Sequence, residues 1–322
     1  MTVVGVQAGG VWLALTGLLL LWPGGMGTPR PVLAGESSRE PLAEPDRPDV
    51  ANSATVVPPR LALLESGWAF ARTRGAGGEK RLTLPFALRL GLLADAELNV
   101  SGDFLRYRTG GEDSAAGIGD VLLGGKLRLR DGEEWGPAIG VQPFVKFPAA
   151  SHARELGSGK VDYSLTLLVD QDLPGGLQAT FNAGAAALGK PDQSQAGFRF
   201  QHTLALTLAY PIGPANPFVQ VAWASPADAE GGRSLITGPG LLFRVGWRLV
   251  LDLGLTLGLR AADDRLQLFG GASVLFGPSP ANAGPPNRHG APRPHSTPGG
   301  QRATPDAFFL TAEALGGDDD AR

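Results

Sequence analysis

The chain has 322 residues, 18% of them charged, with a net charge of −3, 7% aromatic residues and no cysteine. That size allows one or two domains, and the charge balance excludes both a basic nucleic-acid binder and a disordered polyanion. Without cysteine there is no disulfide framework, thiolate metal site, cysteine nucleophile or lipidated N-terminal cysteine; with 47 Gly and 27 Pro, long helices do not dominate.

Residues 11–22 (VWLALTGLLLLW) form an apolar run of signal-peptide length, followed by a helix-breaking PGGMG and by Val32-Leu33-Ala34, where a small residue suits cleavage. No Lys or Arg precedes Arg30, so the amino terminus alone supplies positive charge there. The run is too short to span a bilayer comfortably, so residues 1–34 read as a signal peptide. Residues 35–60 are Pro-rich and charged with no period, the composition of a flexible periplasmic leader.

From residue 61 to 276 one theme repeats. Residues 117–148 show it most clearly: Val121, Leu123, Leu127 and Leu129 share one parity and Asp120, Lys126, Arg128 and Arg130 the other. Past a polar turn, Ile139, Val141, Val145 and Phe147 alternate with Gln142 and Lys146. This is strand periodicity, and it predicts a hairpin with one apolar and one charged face. The same reading predicts strands at 61–73, 80–92, 96–108, 117–130, 137–147, 160–172, 177–188, 197–210, 217–225, 234–245, 249–260 and 265–276. In the eleventh, leucine occupies every second position from 249 to 259 against Asp252, Thr256 and Arg260, a pattern that a helix would smear around its circumference. Pro85, Pro143 and Pro239 fall inside predicted strands and are expected at bulges or kinks.

The predicted strands are longer than the usual five or so residues of globular sheets and suit the roughly 9–11 tilted residues that cross a bilayer. Connections alternate, long (TRGAGGE, TGGEDSAA, PAASHARELGSG, GKPDQSQA, PADAEGGR) and then short, as in a transmembrane barrel with its long loops outside. Trp135, Tyr210, Trp247 and Phe276 fall at predicted periplasmic ends, and Phe70, Tyr107, Phe147, Phe198 and Trp223 near outer ends, positions that suit two interfacial girdles. The expected fold is all-β: a twelve-stranded antiparallel transmembrane β-barrel over residues 61–276, with residues 277–322 a Pro/Gly-rich disordered tail that contains a short apolar piece at 307–315.

The blocks LPFALRLGLLADAEL, GIGDVLLGGKLRL and PAIGVQPFVKFP resemble successive blocks of the family of outer-membrane β-barrels assigned to transport in the phenol-degradation meta pathway. The resemblance implies a twelve-stranded barrel in the outer membrane of a Gram-negative-type envelope and passage of hydrophobic or aromatic compounds. The chain departs from the family in two places. Ala149-Ala150 follow Pro148 where Thr-Gly is usual, and a long segment follows Phe276.

Arg89, Glu97, Asp103, Asp120, Lys126, Arg128, Lys146, Asp162 and Asp170 all oppose the apolar parity of their strands. A cationic side chain facing lipid at the bilayer midplane costs ~2–4 kcal/mol, so these residues are expected to line the lumen. Arg89 with Glu97, and Asp120 with Lys146, are candidates for cross-strand pairing. Two readings are open: a structural ladder, or a constriction that selects solutes, in which case replacing Lys126 and Lys146 with Gln changes ion preference. Twelve strands enclose a narrow interior, which Arg89, Lys126, Phe144, Arg244 and Arg260 are expected to fill in large part.

Catalysis has little support. Of the four histidines, His152 falls in a loop, His289 and His295 in the tail, and His202 on the apolar parity, opposite the inward Ser164 and Ser273. A lipid hydrolase or acyltransferase needs the two on one face. The sequence thus points to a narrow pore or transporter for small hydrophobic or aromatic organic compounds, without cofactor or metal, with outer-membrane lipid, the barrel-assembly machinery and a small-molecule solute as partners. An envelope barrel without transport and a secreted soluble β ligand-binding protein are the alternatives.

Overall fold

The computed structural model describes residues 42–47, 50–74, 78–110, 113–132, 136–190, 197–227 and 231–278. The signal peptide, Trp135, His289, His295 and the tail from residue 279 lie outside the described residues. The strands are β1 (Ala62–Arg72), β2 (Lys80–Gly91), β3 (Ala96–Gly110), β4 (Asp113–Gly117), β5 (Val121–Arg130), β6 (Ala138–Phe147) and β7 (Asp162–Asp172). They continue as β8 (Gln178–Gly189), β9 (Phe198–Ala209), β10 (Ala215–Ala224), β11 (Ser234–Val245), β12 (Leu249–Gly258) and β13 (Leu266–Phe276). Each pairs antiparallel with its neighbours, and β1 joins β13, which closes the sheet on itself.

Thirteen strands make twelve staves. β3 pairs with β4 along its outer end and with β5 along its inner end, so β4 and β5 are one stave broken at residues 118–120. The sequence reading assigned TGGEDSAA to an outer link. Instead β3 runs on to Gly110 and Asp113–Gly117 folds back on it as a hairpin. At the break the Gly119 N–H donates to the Asp103 carbonyl at 2.9 Å, so the lost ladder bond is replaced.

Of the three strand prolines, Pro85 lies at a register shift between β2 and β3. The other two do not. Pro143 pairs in unbroken register with Leu165, and Pro239 with Val219, while the ladder on the opposite side of each strand skips two positions without slipping. Proline removes one donor, and a closed barrel held by staves on both sides absorbs that loss without a bulge.

The wall sorts by parity. Leu251, Leu253, Leu257 and Leu259 on or just past β12, Phe198, Phe200 and Leu204 on β9, and Leu123, Leu127 and Leu129 on β5 all face out, each more than 40% exposed. A continuous apolar exterior of this kind is stable only against lipid. Phe70, Tyr107, Phe147, Phe198, Trp223 and Phe276 have outward parity, with Tyr163 edge-on to Phe198 at 5.7 Å between ring centroids, and Tyr210 is exposed just past β9. Trp247 adds an inner contact. In the β11–β12 turn it packs against a buried cluster of Ala43, Val57, Leu61, Leu63, Val250 and Leu275, with Arg248 stacked 4.1 Å from its ring.

Candidate functional site

Inside the barrel lies a second layer that sequence reasoning missed. Where a flexible leader is expected, residues 42–47 and 50–60 run against the lumen wall as irregular backbone. Their polar groups are satisfied by the wall. The Ala43 N–H donates to the Trp247 carbonyl at 2.9 Å, the Arg47 N–H to Glu65 Oε2 at 3.1 Å, and the Val50 N–H to Gln220 Oε1 at 2.8 Å. Asn52 exchanges two bonds with Asn182, its N–H donating to Oδ1 at 2.6 Å and its carbonyl accepting from Nδ2 at 2.8 Å. Asp170 Oδ2 accepts from the Ala54 N–H at 2.6 Å and the Ser53 hydroxyl at 2.9 Å, and Glu97 Oε2 accepts from the Val57 N–H at 2.7 Å.

These contacts follow the staves in spatial order. The segment meets β1 at Glu65, β12 at Asp252 through Arg47, β10 at Gln220, β8 at Asn182, β7 at Asp170, β5 at Lys126 and finally β3 at Glu97. Its described residues therefore follow the inner wall from β1 round to β3, as a belt. Both ends sit at the side of the barrel that carries the short turns, one at the β11–β12 turn and the other at Gly91, whose N–H donates to the Leu61 carbonyl.

The strongest anchor is Arg89, 1% exposed, on β2. Its guanidinium donates to both oxygens of Glu97 at 2.7 and 3.0 Å, to Glu65 Oε1 at 3.2 Å, and to the belt carbonyls of Glu44 and Thr55 at 3.0 and 3.1 Å. Asp46 of the belt lies 3.3 Å from the same guanidinium and accepts from Lys126 Nζ at 2.7 and 2.9 Å. Planar five-donor geometry is what lets one side chain hold two carboxylates and two carbonyls at once. Arg47 of the belt reaches Asp252 at 3.3 Å.

The other predicted lumen residues divide into two groups. Asp103, Asp120, Lys146 and Asp162 stand at the outer end and hold the loop of residues 148–161. Lys146 pairs with Asp162 and, at 3.4 Å, with Asp120, and donates to Ser158 Oγ at 2.6 Å. Asp120 accepts from the Ala150 N–H at 3.0 Å, and Arg106, itself paired with Asp103, donates to the Leu156 carbonyl at 2.9 Å. Arg128 sits apart at the opposite rim, bonded to Asp131 and the Ala94 carbonyl at 2.9 Å each. Of the side chains expected to fill the lumen, Phe144 lies over Gly124, joined by two that sequence reasoning did not name, Phe218 over Gly240 and Phe269 over Gly254. Arg244 donates to the belt carbonyl of Ala43 at 2.7 Å, whereas Arg260 lies in the β12–β13 loop.

Beside the belt is a cavity of about 320 Å³. Its lining combines Val50 and Asn52 of the belt with Thr166, Asn182, Thr203, Ala205, Ala222, Ala224, Ser234 and Ile236, none of them charged; Leu204 and Trp223, whose side chains face outward, border it from within the wall. His202 is exposed on the outer wall while Ser164 and Ser273 point inward, so these residues do not assemble a hydrolase pair. His152 lies in the outer loop against the Gly157 carbonyl.

At the β12–β13 loop, burial pushes the Asp263 carboxyl up. The Ser234 hydroxyl and the N–H groups of Arg260, Leu235 and Leu259 outweigh it and hold the group below the usual carboxylate range. A depressed carboxylate contributes stability that is fully present above its unfolded pKa and is lost as pH falls through the folded value. Asp263→Asn is thus expected to weaken this loop at neutral pH by about 1–2 kcal/mol. The ratio of wild-type to variant hydrogen-exchange protection at Leu235 and Arg260, taken pH by pH, should hold constant above about pH 5, begin to fall as pH drops through about 4 and reach unity only below the depressed folded value. A ratio independent of pH would exclude the carboxylate as the latch.

A closed antiparallel barrel with an apolar exterior and a polar, partly filled interior defines an outer-membrane β-barrel. The chain belongs to the family described as "Putative MetA-pathway of phenol degradation", whose model matches residues 45–276, the belt from Asp46 onward among them. Among solved structures, the COG4313 outer membrane channel from Pseudomonas putida F1 is similar at 14% identity and a TM-score of 0.54, over 69% of this chain and 97% of that one. The NanC porin aligns at 10% identity and TM-score 0.45 over 66% and 98% of the two chains, and the CymD monoaromatic hydrocarbon channel at 10% and 0.39 over 69% and 89%. No curated protein matches the chain.

Proposed function

We propose that this barrel is a narrow channel for small, uncharged organic molecules of hydrophobic or aromatic character. The observation that carries the reading is the uncharged cavity of about 320 Å³ beside the belt, inside a wall whose charges are otherwise engaged. Pockets from about 300 Å³ upward hold small organic ligands, and this lining mixes alkyl groups with hydroxyls and amides, which suits a ring bearing one polar substituent. The family's description, which links it to phenol degradation, points to the same class. The inward charges weigh against a wide ion-conducting pore, because Arg89, Glu97 and Lys126 are engaged with each other or with the belt.

Proteoliposomes carrying the full chain should admit phenol and benzyl alcohol faster than empty liposomes do, with benzoate lagging at a pH where it is ionised. Ala222→Phe, which fills the cavity, should slow entry of both neutral compounds. Equal entry of all three in protein-containing and empty liposomes would leave an envelope barrel without transport as the better account.

A further inference from the structure

We propose that Arg72 and Lys80 form a site for the phosphate of an outer-leaflet glycolipid on the lipid-facing wall of the barrel. The site is independent of what passes through the lumen. Among the described residues, strand positions of outward parity in the outer half of the wall carry two formal charges, and these are the two. Both are exposed, and they are direct cross-strand partners between β1 and β2. Side chains so paired have Cβ atoms about 4.5–5.5 Å apart, and like charges directly opposite repel.

No described carboxylate pairs with either cation. Glu79 is turned to Arg81 and Arg108 at 3.7 and 3.8 Å, Asp264 pairs with Arg81, and Asp263 accepts from the Arg260 N–H at 2.8 Å. The neighbouring loops add positive charge instead. The Arg265 N–H donates to the Arg72 carbonyl at 2.8 Å, and the Arg74 guanidinium donates to the Gly258 and Arg260 carbonyls. Beyond Arg74, Arg233 and Arg260 line a hollow of about 390 Å³.

Position in the wall selects a lipid over a soluble anion. The outward row across five strands reads Leu266, Arg72, Lys80, Thr109 and Ser114, which places two cations and two hydroxyls side by side. Two residues nearer the membrane centre, about 6–7 Å along the strand, the matching row is Leu268, Phe70, Leu82, Tyr107 and Ala116. A phosphate on the upper row therefore sets its acyl chains against the lower one. Guanidinium takes phosphate through two parallel N–H bonds and the ammonium adds a point charge, an arrangement that suits an anionic headgroup at the interface.

The test titrates the full chain, folded in neutral detergent, with bisphosphorylated lipid A and with its dephosphorylated form, and reads bound lipid by native mass spectrometry. Wild type should bind the phosphorylated form about tenfold or more tighter, the scale of two cations beside an anionic headgroup. Arg72→Gln/Lys80→Gln and Lys80→Glu should each lose that preference while keeping the heat-modifiable band of a folded barrel. Arg60→Gln/Arg248→Gln removes the same charge at the opposite rim and should retain it. Equal binding of the two lipids by wild type, a preference that survives in both site variants, or an equal loss in the opposite-rim variant would overturn the site. Displacement of the lipid by an equal concentration of inorganic phosphate would overturn it as well, in favour of a site for soluble anions.

Discussion

Replacing Arg89 with Met is expected to cost about 3–5 kcal/mol of barrel stability, the range for breaking a buried ion pair from one side. Methionine keeps much of the volume but removes every donor. Glu97 then loses both short bonds and Glu65 its ion-pair partner, while the belt carbonyls of Glu44 and Thr55 lose theirs. Arg89→Lys should fall between Met and wild type, since an ammonium is a point charge that cannot hold Glu97 by both oxygens while also reaching Glu65. Urea unfolding of the folded barrel in liposomes, followed by the heat-modifiable band, measures the difference. A Met variant within about 1 kcal/mol of wild type would show that belt and wall are not held by this cluster.

The wall was legible in the sequence because a barrel stave obeys a local rule. Apolar residues must alternate with polar ones, and so leucines 249 to 259 and the aromatics of β9 declare their face from parity alone. The Arg89–Glu97 pair follows from the same rule, because two inward positions on either side of a short turn are neighbours. The belt obeys no such rule. Residues 42–60 have no period, since each of their backbone groups is satisfied by a different stave rather than by a repeating partner. A Pro-rich charged stretch reads as a solvated leader when its partners are more than a hundred residues away, as Asn182 is from Asn52. One signal was present and unused: the inward wall carries Glu65, Asn99, Gln142, Asn182, Gln220 and Asp252, all buried, more hydrogen-bonding capacity than a ladder of wall pairs consumes. Trp247 adds a contact that parity does not show, for a related reason. A turn aromatic at a barrel end suits lipid, and the inner surface this one also packs on is a cluster that includes Ala43 and Val57 of the belt.

Lys126 and Lys146 share a parity and a charge, and the sequence treats them alike; their substitutions should nevertheless have different consequences. Lys126 is 2% exposed and gives two short bonds to Asp46 and one of 3.1 Å to the Thr55 carbonyl, all on the belt. Lys146 is 18% exposed at its side chain and serves the outer loop through Asp120, Asp162 and Ser158. Desolvation sets the scale. A double-mutant cycle of Lys126→Gln with Asp46→Asn should return a coupling of about 2 kcal/mol, whereas Lys146→Gln with Asp162→Asn should return less than about 1 kcal/mol in the wetter site. The functional readouts should separate too. Lys126→Gln loosens the belt and should increase current fluctuations in planar bilayers, while Lys146→Gln leaves the belt seated and should instead speed protease cleavage within residues 148–161. If both variants alter the current alike and neither changes cleavage, the two lysines belong to one solute-selecting constriction, and the division of the lumen into a belt anchor and a loop latch is wrong.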